Sequence, residues 1–445
     1  VSLRERSLSR QVLVLALPAM GEQLLTMTVS IVDTILVGHL GPPALAAVSL
    51  ANEWIFAVII LFWGVAGGAT ALVARSIGAR DWETADSAVG QSMLIAVTIG
   101  LLASVAAMGL AQLAMVAIGA SAEVMQAGTT YIRIVAVVFP LSALMYVGNA
   151  CLRGAGDTRI VMLVMAVVNV LNIIVAWVAI NGALGFPRLG IAGSALGAAT
   201  GYAVGGVLIV FLLLRGRAGL RWRADKARPD FSMMRRILRV GVPAGVEQMN
   251  WRLGTMVFVR AIASLGTVPV AAHAVVLRAE SLSYMPGSGF AVAGTTLVGQ
   301  GLGAEDADRA ERSGYLTYRF AAAIMALMGS LFILAPQLFI GLFTPDVAVI
   351  QTAIPALRIT ALAQPFLAAA MVFPGGLRGA GDTRFPMLVT SLSIWTVRVP
   401  LALLLALTLN MGLAGAWIGV ALDVVVRGTV CFFRFRSGRW KKVEV

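Results

Sequence analysis

The sequence predicts an all-α membrane protein, with twelve transmembrane helices arranged as two parallel six-helix repeats. Three observations predict it. The chain is 59% hydrophobic and 12% charged with a mean hydropathy of +0.90, far from the composition of a soluble domain. Apolar stretches of about 20 residues or more, long enough to cross a bilayer core as helices, recur from end to end. Finally, Leu152-Arg153-Gly154-Ala155-Gly156-Asp157-Thr158-Arg159 returns as Leu377-Arg378-Gly379-Ala380-Gly381-Asp382-Thr383-Arg384, 225 positions later. The same offset carries Pro18, Glu22, Gly41, Arg133 and Pro140 onto Pro243, Glu247, Gly266, Arg358 and Pro365, so a whole structural unit is duplicated.

In order, the spans are expected at residues 11–37, 45–73, 87–112, 123–149, 159–180 and 191–214, then at 235–262, 270–299, 312–334, 347–374, 385–409 and 412–433. None alternates with period two, and all exceed the roughly 10 residues of a barrel strand. The first follows a basic flank without a short apolar core and cleavage site, which marks a retained helix rather than a removed signal. Pro18 and Pro243 fall inside the first and seventh spans, Pro140 and Pro365 inside the fourth and tenth, and each invites a kink. Static bending is expected for the fourth and tenth; for the first and seventh, bending that changes during function stays open. At the fifth span, Gly154 and Gly156 permit a sharp turn and Asp157 or Thr158 can cap the helix. Gly193, Gly197, Gly201 and Gly205 form a stripe on the sixth, expected to press against a neighbouring helix.

The net charge of +13 is explained by its placement. Bases sit at the start (Arg4, Arg6, Arg10), in alternate loops, at the end, and most densely between Arg215 and Arg239, while the intervening loops hold Arg188 alone. This is the positive-inside pattern, with both termini cytoplasmic, and it leaves no call for a nucleic-acid partner. Six spans per copy orient both copies alike, about an axis along the membrane normal. The lobes are expected at residues 1–214 and 233–445, joined by a cytoplasmic connection at 215–232. Such bundles enclose a cleft that rocking opens to alternate sides. Trp82, Trp222 and Trp440 are expected as interface anchors. Cys151 and Cys431 give no sign of a disulfide, and the glycine pair lacks the preceding strand of a phosphate-binding loop. No catalytic, redox or metal-ligand constellation is legible, so work must be drawn from an ion gradient.

Three segments together resemble the multidrug and toxic compound extrusion family: the paired octapeptides, Val32-Asp33-Thr34-Ile35-Leu36-Val37-Gly38-His39-Leu40-Gly41, and Leu297-Val298-Gly299-Gln300-Gly301-Leu302-Gly303-Ala304. The resemblance covers essentially the whole chain. It implies a V-shaped exporter with a central cavity, ejecting organic cations or other amphipathic compounds against protons or sodium ions, with no further cofactor. It also implies that Asp33 is the first-span aspartate that serves such proteins as a proton or cation site. The setting is expected to be a prokaryotic plasma membrane, the partners its lipids and small-molecule substrates, the working form a monomer. A lipid-linked precursor flippase is the alternative, disfavoured because the chain ends just after its twelfth span. A receptor or scaffold is disfavoured by the short outer loops.

A charge at mid-bilayer costs about 3 kcal/mol or more on insertion scales, so each needs a reason. Glu22 and Glu247 are repeat equivalents, as are Arg133 and Arg358, which suggests structural pairs Glu22–Arg133 and Glu247–Arg358, with Arg153 and Arg378 as alternative partners. Glu247 is also a cavity candidate. Charges that break the repeat point to chemistry. Asp33 stands opposite Phe258, and a carboxyl in apolar surroundings can exchange protons near neutrality, with Asn169 and Asn172 on the fifth span completing the site. The bland alternative is a polar contact within the lobe. Ala176 stands where relatives carry another oxygen ligand, and Trp251 and Leu367 stand near the places of two further acids, which favours protons over sodium.

Glu280 joins Asp33, Asn169 and Asn172 as an ion- or proton-coupling candidate, and it either pairs with Arg252 or Arg260 or binds a cationic substrate. Glu53 and Arg278 occupy equivalent positions and are candidates for a gate. Asp423 and Arg427, four apart, read as an intrahelical pair, and His273 as either a titrating group or a polar contact. Met20, Met27, Met249, Met256 and Met285 suit an adaptable cavity lining as well as ordinary core filling.

Overall fold

In a bilayer every backbone N–H and C=O must be satisfied within its own segment, and the apolar runs answer with helices throughout. The computed structural model describes residues 7–222 and 228–443, and no strand occurs among them. Arg4, Arg6, Arg223 and Lys226, counted in the charge pattern, lie outside the described residues. The helices are α1 (Leu8–Gly38), α2 (Pro42–Ala79), α3 (Trp82–Ala117), α4 (Ala122–Ala136), α5 (Phe139–Ala155), α6 (Thr158–Asn181), α7 (Ile191–Leu214), α8 (Phe231–Ala263), α9 (Thr267–Gly303) and α10 (Ala307–Leu334). They continue with α11 (Pro336–Gly341), α12 (Val347–Gly379), α13 (Arg384–Ser393), α14 (Val399–Leu403) and α15 (Gly412–Arg436). Two π-helical turns, Ile394–Arg398 and Leu404–Thr408, flank α14 inside one continuous span, Arg384–Thr408.

Among the described residues, nine helices are long and apolar enough to cross a membrane, and the bent pair α4–α5 makes a tenth. The remaining two of the twelve expected spans, α8 and α9, have the length, 33 and 37 residues, but carry embedded charges that lower their hydropathy. Lipid-facing side chains such as Leu102 and Val105 are largely exposed, as a bilayer solvent requires.

Capping sets several starts. Asp81, Asp157, Asp306 and Asp346 each accept a bond from a first-turn N–H of the following helix. The bonds from Thr84 hold the Asp81 carboxyl below the usual carboxylate range. In the octapeptide the two glycines divide the labour. Gly156 and Gly381 make the turn, with φ of 91° and 89°. Gly154 packs instead, since a Cβ there would lie 2.8 Å from the Thr70 carbonyl oxygen. Thr70 and Thr295, themselves repeat equivalents, tie α2 to α5 and α9 to α12 through bonds to the Ala150 and Gly375 carbonyls at 3.1 and 2.9 Å.

Prolines act unequally. Pro140 opens α5 after a break that bends the fourth span by 58°, whereas Pro365 sits within an uninterrupted α12. The Gly193–Gly205 stripe does make a close helix contact, Gly197 facing the Asn172 carbonyl and Ala176.

The chain divides into two compact units at Met20/Gly21 and Gly245/Val246, positions that are themselves 225 apart. One unit is Gly21–Gly245. Its α2 receives the first turns of α8 so closely that a Cβ on Gly68 would lie 2.1 Å from the Ile237 carbonyl oxygen. The other unit holds everything from Val246 onward plus the first half of α1, whose Val12, Leu15 and Ala16 pack with Phe290, Ala293, Leu297, Met325 and Val372. Gly68→Val is therefore expected to destabilise the first unit by about 3 kcal/mol or more, since backbone cannot yield as a side chain can. A lower unfolding temperature in detergent checks it.

Candidate functional site

Within the Gly21–Gly245 unit, α1 presents Asp33 to α6, where the Asn172 side-chain amide donates to Asp33 Oδ2 at 3.3 Å. Asp33 Oδ1, Asn172 Oδ1 and Asn169 Nδ2 are buried and have no hydrogen-bond partner among the described residues. Two of these atoms belong to the bonded Asp33–Asn172 pair, and Asn169 lies three residues before Asn172, on the same side of α6. Tyr131 on α4 and Tyr202 on α7 lie within electrostatic reach of Asp33. Ala176 is buried against Gly197 and contributes no oxygen. The sequence brought Asp33, Asn169 and Asn172 to notice; the tyrosines escaped a reading keyed to charge.

The unit from Val246 onward buries a different cluster. Asp423 on α15 is fully buried and meets two guanidinium groups on one oxygen, Arg398 at 2.7 Å and Arg427 at 3.1 Å. Its other oxygen accepts from the Ser393 hydroxyl at 2.6 Å. The intrahelical Asp423–Arg427 pair thus exists, but as half of a triad. Glu280 on α9 accepts a short bond from the Thr360 hydroxyl on α12, and Arg398 lies within electrostatic reach of it. The span Arg384–Thr408 supplies the reason, because it turns Arg398 into the unit's interior.

The symmetric acids take the alternative partners. Glu22 pairs with Arg153 at 2.9 Å and Glu247 with Arg378 at 3.0 Å, Glu247 also accepting from Thr390 at 3.1 Å. The expected pairs with Arg133 and Arg358 do not form. Those arginines are exposed and lie twenty residues before Arg153 and Arg378, across the bend between α4 and α5 in the first case and about 30 Å along α12 in the second. Glu22→Gln and Glu247→Gln are each expected to lower folded yield and the melting temperature, a loss of about 1–2 kcal/mol for partly exposed pairs. Size-exclusion profiles and thermal melts in detergent provide the check.

His273, expected either to titrate or to make a polar contact, lies between the rings of Phe258 and Trp417, each 5.6 Å away, with neither nitrogen bonded among the described residues. Glu53 and Arg278 sit exposed on α2 and α9. Met256 and Met249 are exposed and Met27 half-buried, while Met20 fills core. Trp440 corrects an expectation: it is no interface anchor but fully buried, stacked on Phe435 at 4.6 Å with its indole bonded to the Phe435 carbonyl. Cys151 and Cys431 are buried free thiols.

Long apolar helices in two repeated sets, with charged clusters held inside each unit, define a multi-pass membrane protein of the transporter class. The chain belongs to the MatE family, whose model matches residues 18–178 and 243–404, and it is a MATE family transporter. It is 32% identical to a probable multidrug resistance protein NorM of Thermotoga maritima over 98% of this chain and 94% of that one. Identity to the multidrug resistance protein NorM of Burkholderia vietnamiensis is 28%, covering 95% and 92%. A solved MATE in the straight conformation superposes with a TM-score of 0.91 at 25% identity over 98% of this chain and 97% of that one. A MOP superfamily transporter from Pyrococcus furiosus shares the fold, with a TM-score of 0.91 over 99% and 98%.

Proposed function

We propose that the chain is a secondary active exporter of cationic or amphipathic compounds, driven by protons that load on Asp33. The carrying observation is the half-satisfied carboxyl: Asn172 donates to one oxygen, and the other is buried without a partner among the described residues. A proton placed on Oδ1 neutralises the charge, and Asn172 Oδ1 offers an acceptor for the new O–H. A lipophilic cation would neutralise the same carboxylate, so proton and substrate exclude one another there, which is the condition for antiport. The scarcity of neutral oxygens, with Ala176 in the fifth span, supports a proton over a tightly coordinated sodium ion. Export of multidrug type follows the names borne by the NorM relatives. The charge pattern supports a prokaryotic plasma membrane with both termini cytoplasmic, and the working form is a monomer.

The test is export of a fluorescent organic cation from reconstituted vesicles under separately imposed pH and sodium gradients. Transport under the pH gradient alone is expected. Transport that answers to sodium alone would overturn the proton reading, and none under either would overturn the exporter.

A further inference from the structure

The segment after the sixth span of each repeat turns back on its own unit. Helices α7 and α15 both run into a left-handed glycine, Gly216 and Gly438, with φ of 83° and 68°, before a 3-10 turn, Arg217–Gly219 or Arg439–Lys442. The two glycines are 222 residues apart, the same displacement that relates Gly190 to Gly412 at the starts of these helices. Past a shared Gly-Arg the tails diverge, Ala218-Gly219-Leu220-Arg221 against Trp440-Lys441-Lys442-Val443. The same two places are nevertheless tied, Asp86 and Asp157 in one unit, Glu311 and Asp382 in the other, equivalents 225 apart.

In the Gly21–Gly245 unit, Arg217 Nε donates to Asp157 Oδ2 at 2.9 Å, and the Arg221 backbone N–H donates to Asp86 Oδ1 at 2.7 Å. Between them Leu220 is fully buried, and Gly219 lies so near the Trp82 ring that a Cβ would come within 2.6 Å of it. In the other unit, Arg434 Nε, in the last turn of α15, donates to Asp382 Oδ2 at 2.9 Å, and Lys441 Nζ makes a short bond to Glu311. Trp440 does the burying there, stacked on Phe435 within a cluster that includes Leu302, Ala310, Leu377 and Ala380. The hooks are chemically unlike, a backbone N–H in one tail and an ammonium in the other, yet the acids they reach are repeat equivalents.

We propose that each tail is a clasp, a strap that holds together the basic ends of the third, fifth and sixth spans of its own repeat, and that the two clasps act independently. Asp86 and Glu311 lie near the starts of α3 and α10, Asp157 and Asp382 just before α6 and α13, and each tail prolongs the sixth span. In the second clasp the ion pairs are partly exposed and each contributes little by itself, whereas the indole buries about 200 Å² and supplies most of the hold. The charges fix where the tail lands. A unit fastened at one end of these spans can splay them only at the other.

Lysine stands only at positions 226, 441 and 442, so the exposed Lys442 is a reference beside the engaged Lys441. Acetylation of the purified full chain with acetic anhydride, read by fragment mass spectrometry, is expected to modify Lys441 about tenfold more slowly than Lys442. Glu311→Gln is expected to bring the two rates together. Hydrogen exchange tests the clasp itself. Trp440→Ala is expected to speed exchange about tenfold at residues 310–316 and 377–382 while their equivalents, 85–91 and 152–157, keep wild-type rates. Asp86→Ala is expected to give the converse pattern. Locality matters, because a general loss of stability would quicken both units. If Trp440→Ala does not fold, Glu311→Gln carries both measurements, with the same local pattern expected. Equal acetylation of the two lysines in wild type, unchanged exchange in a folded variant, or faster exchange in both units alike would overturn the proposal.

Discussion

Asp33→Asn is expected to abolish gradient-driven export while leaving folded yield at or above that of wild type. The carboxyl makes one long hydrogen bond, at 3.3 Å, and no ion pair is found for it among the described residues. Little structure therefore depends on its charge, and an amide of the same shape removes the cost of holding a carboxylate in apolar surroundings. What the amide cannot do is gain and lose a proton. Export driven by a pH gradient should fall to the rate of empty vesicles, and substrate binding at equilibrium should lose its pH dependence. Full export by the folded variant would refute Asp33 as the coupling group, whatever the family resemblance.

The second large effect concerns stability. Asp423→Ala would leave Arg398 and Arg427 facing one another, with exposures of 8% and 12% and no carboxylate between them. Stranding a buried charge costs about 3–5 kcal/mol, and here both cations of the triad lose the carboxylate they share. That loss is comparable to much of the stability of a typical fold, so the variant is expected to be recovered poorly and to melt far below wild type. Arg427→Met removes one cation yet leaves the Arg398–Asp423 pair intact, and should be tolerated much better. Equal melting temperatures for the two variants would show that the triad is not electrostatically coupled.

The spans were legible because a bilayer permits few alternatives: a long apolar run must be a helix, and each expected span has a helix at its place. The two π turns were not, because nothing in Ile394-Trp395-Thr396-Val397-Arg398 departs from ordinary helical patterning. They matter for the site. A uniform offset sets Asn172 against Val397, and the Gly190–Gly412 and Gly193–Gly415 correspondences show the last helix displaced to 222. Arg398 and Asp423 could not be matched to anything while the offset was held constant.

The first-named partners of the symmetric acids, Arg133 and Arg358, failed for a different reason. Repeat equivalence says that two charges are needed but not which others they reach, and Arg133 and Arg153 are both repeated. Depth along the helix decides between them, and depth emerges from packing. Asp33 was the easier inference, since an uncompensated carboxyl in an apolar helix stands out without any partner being known.

The exchange of half-helices at Met20 and Gly245 bears on how such a molecule can be divided. Severing the gene at the connection between repeats yields two fragments, neither of which encodes a complete folding unit. The later fragment lacks Val12, Leu15 and Ala16, and the earlier lacks the turn of α8 seated on Gly68. Duplication of an ancestral half thus did not produce two autonomous modules joined by a tether. Each copy lends the other its opening segment, so biogenesis of either is finished only after synthesis of both.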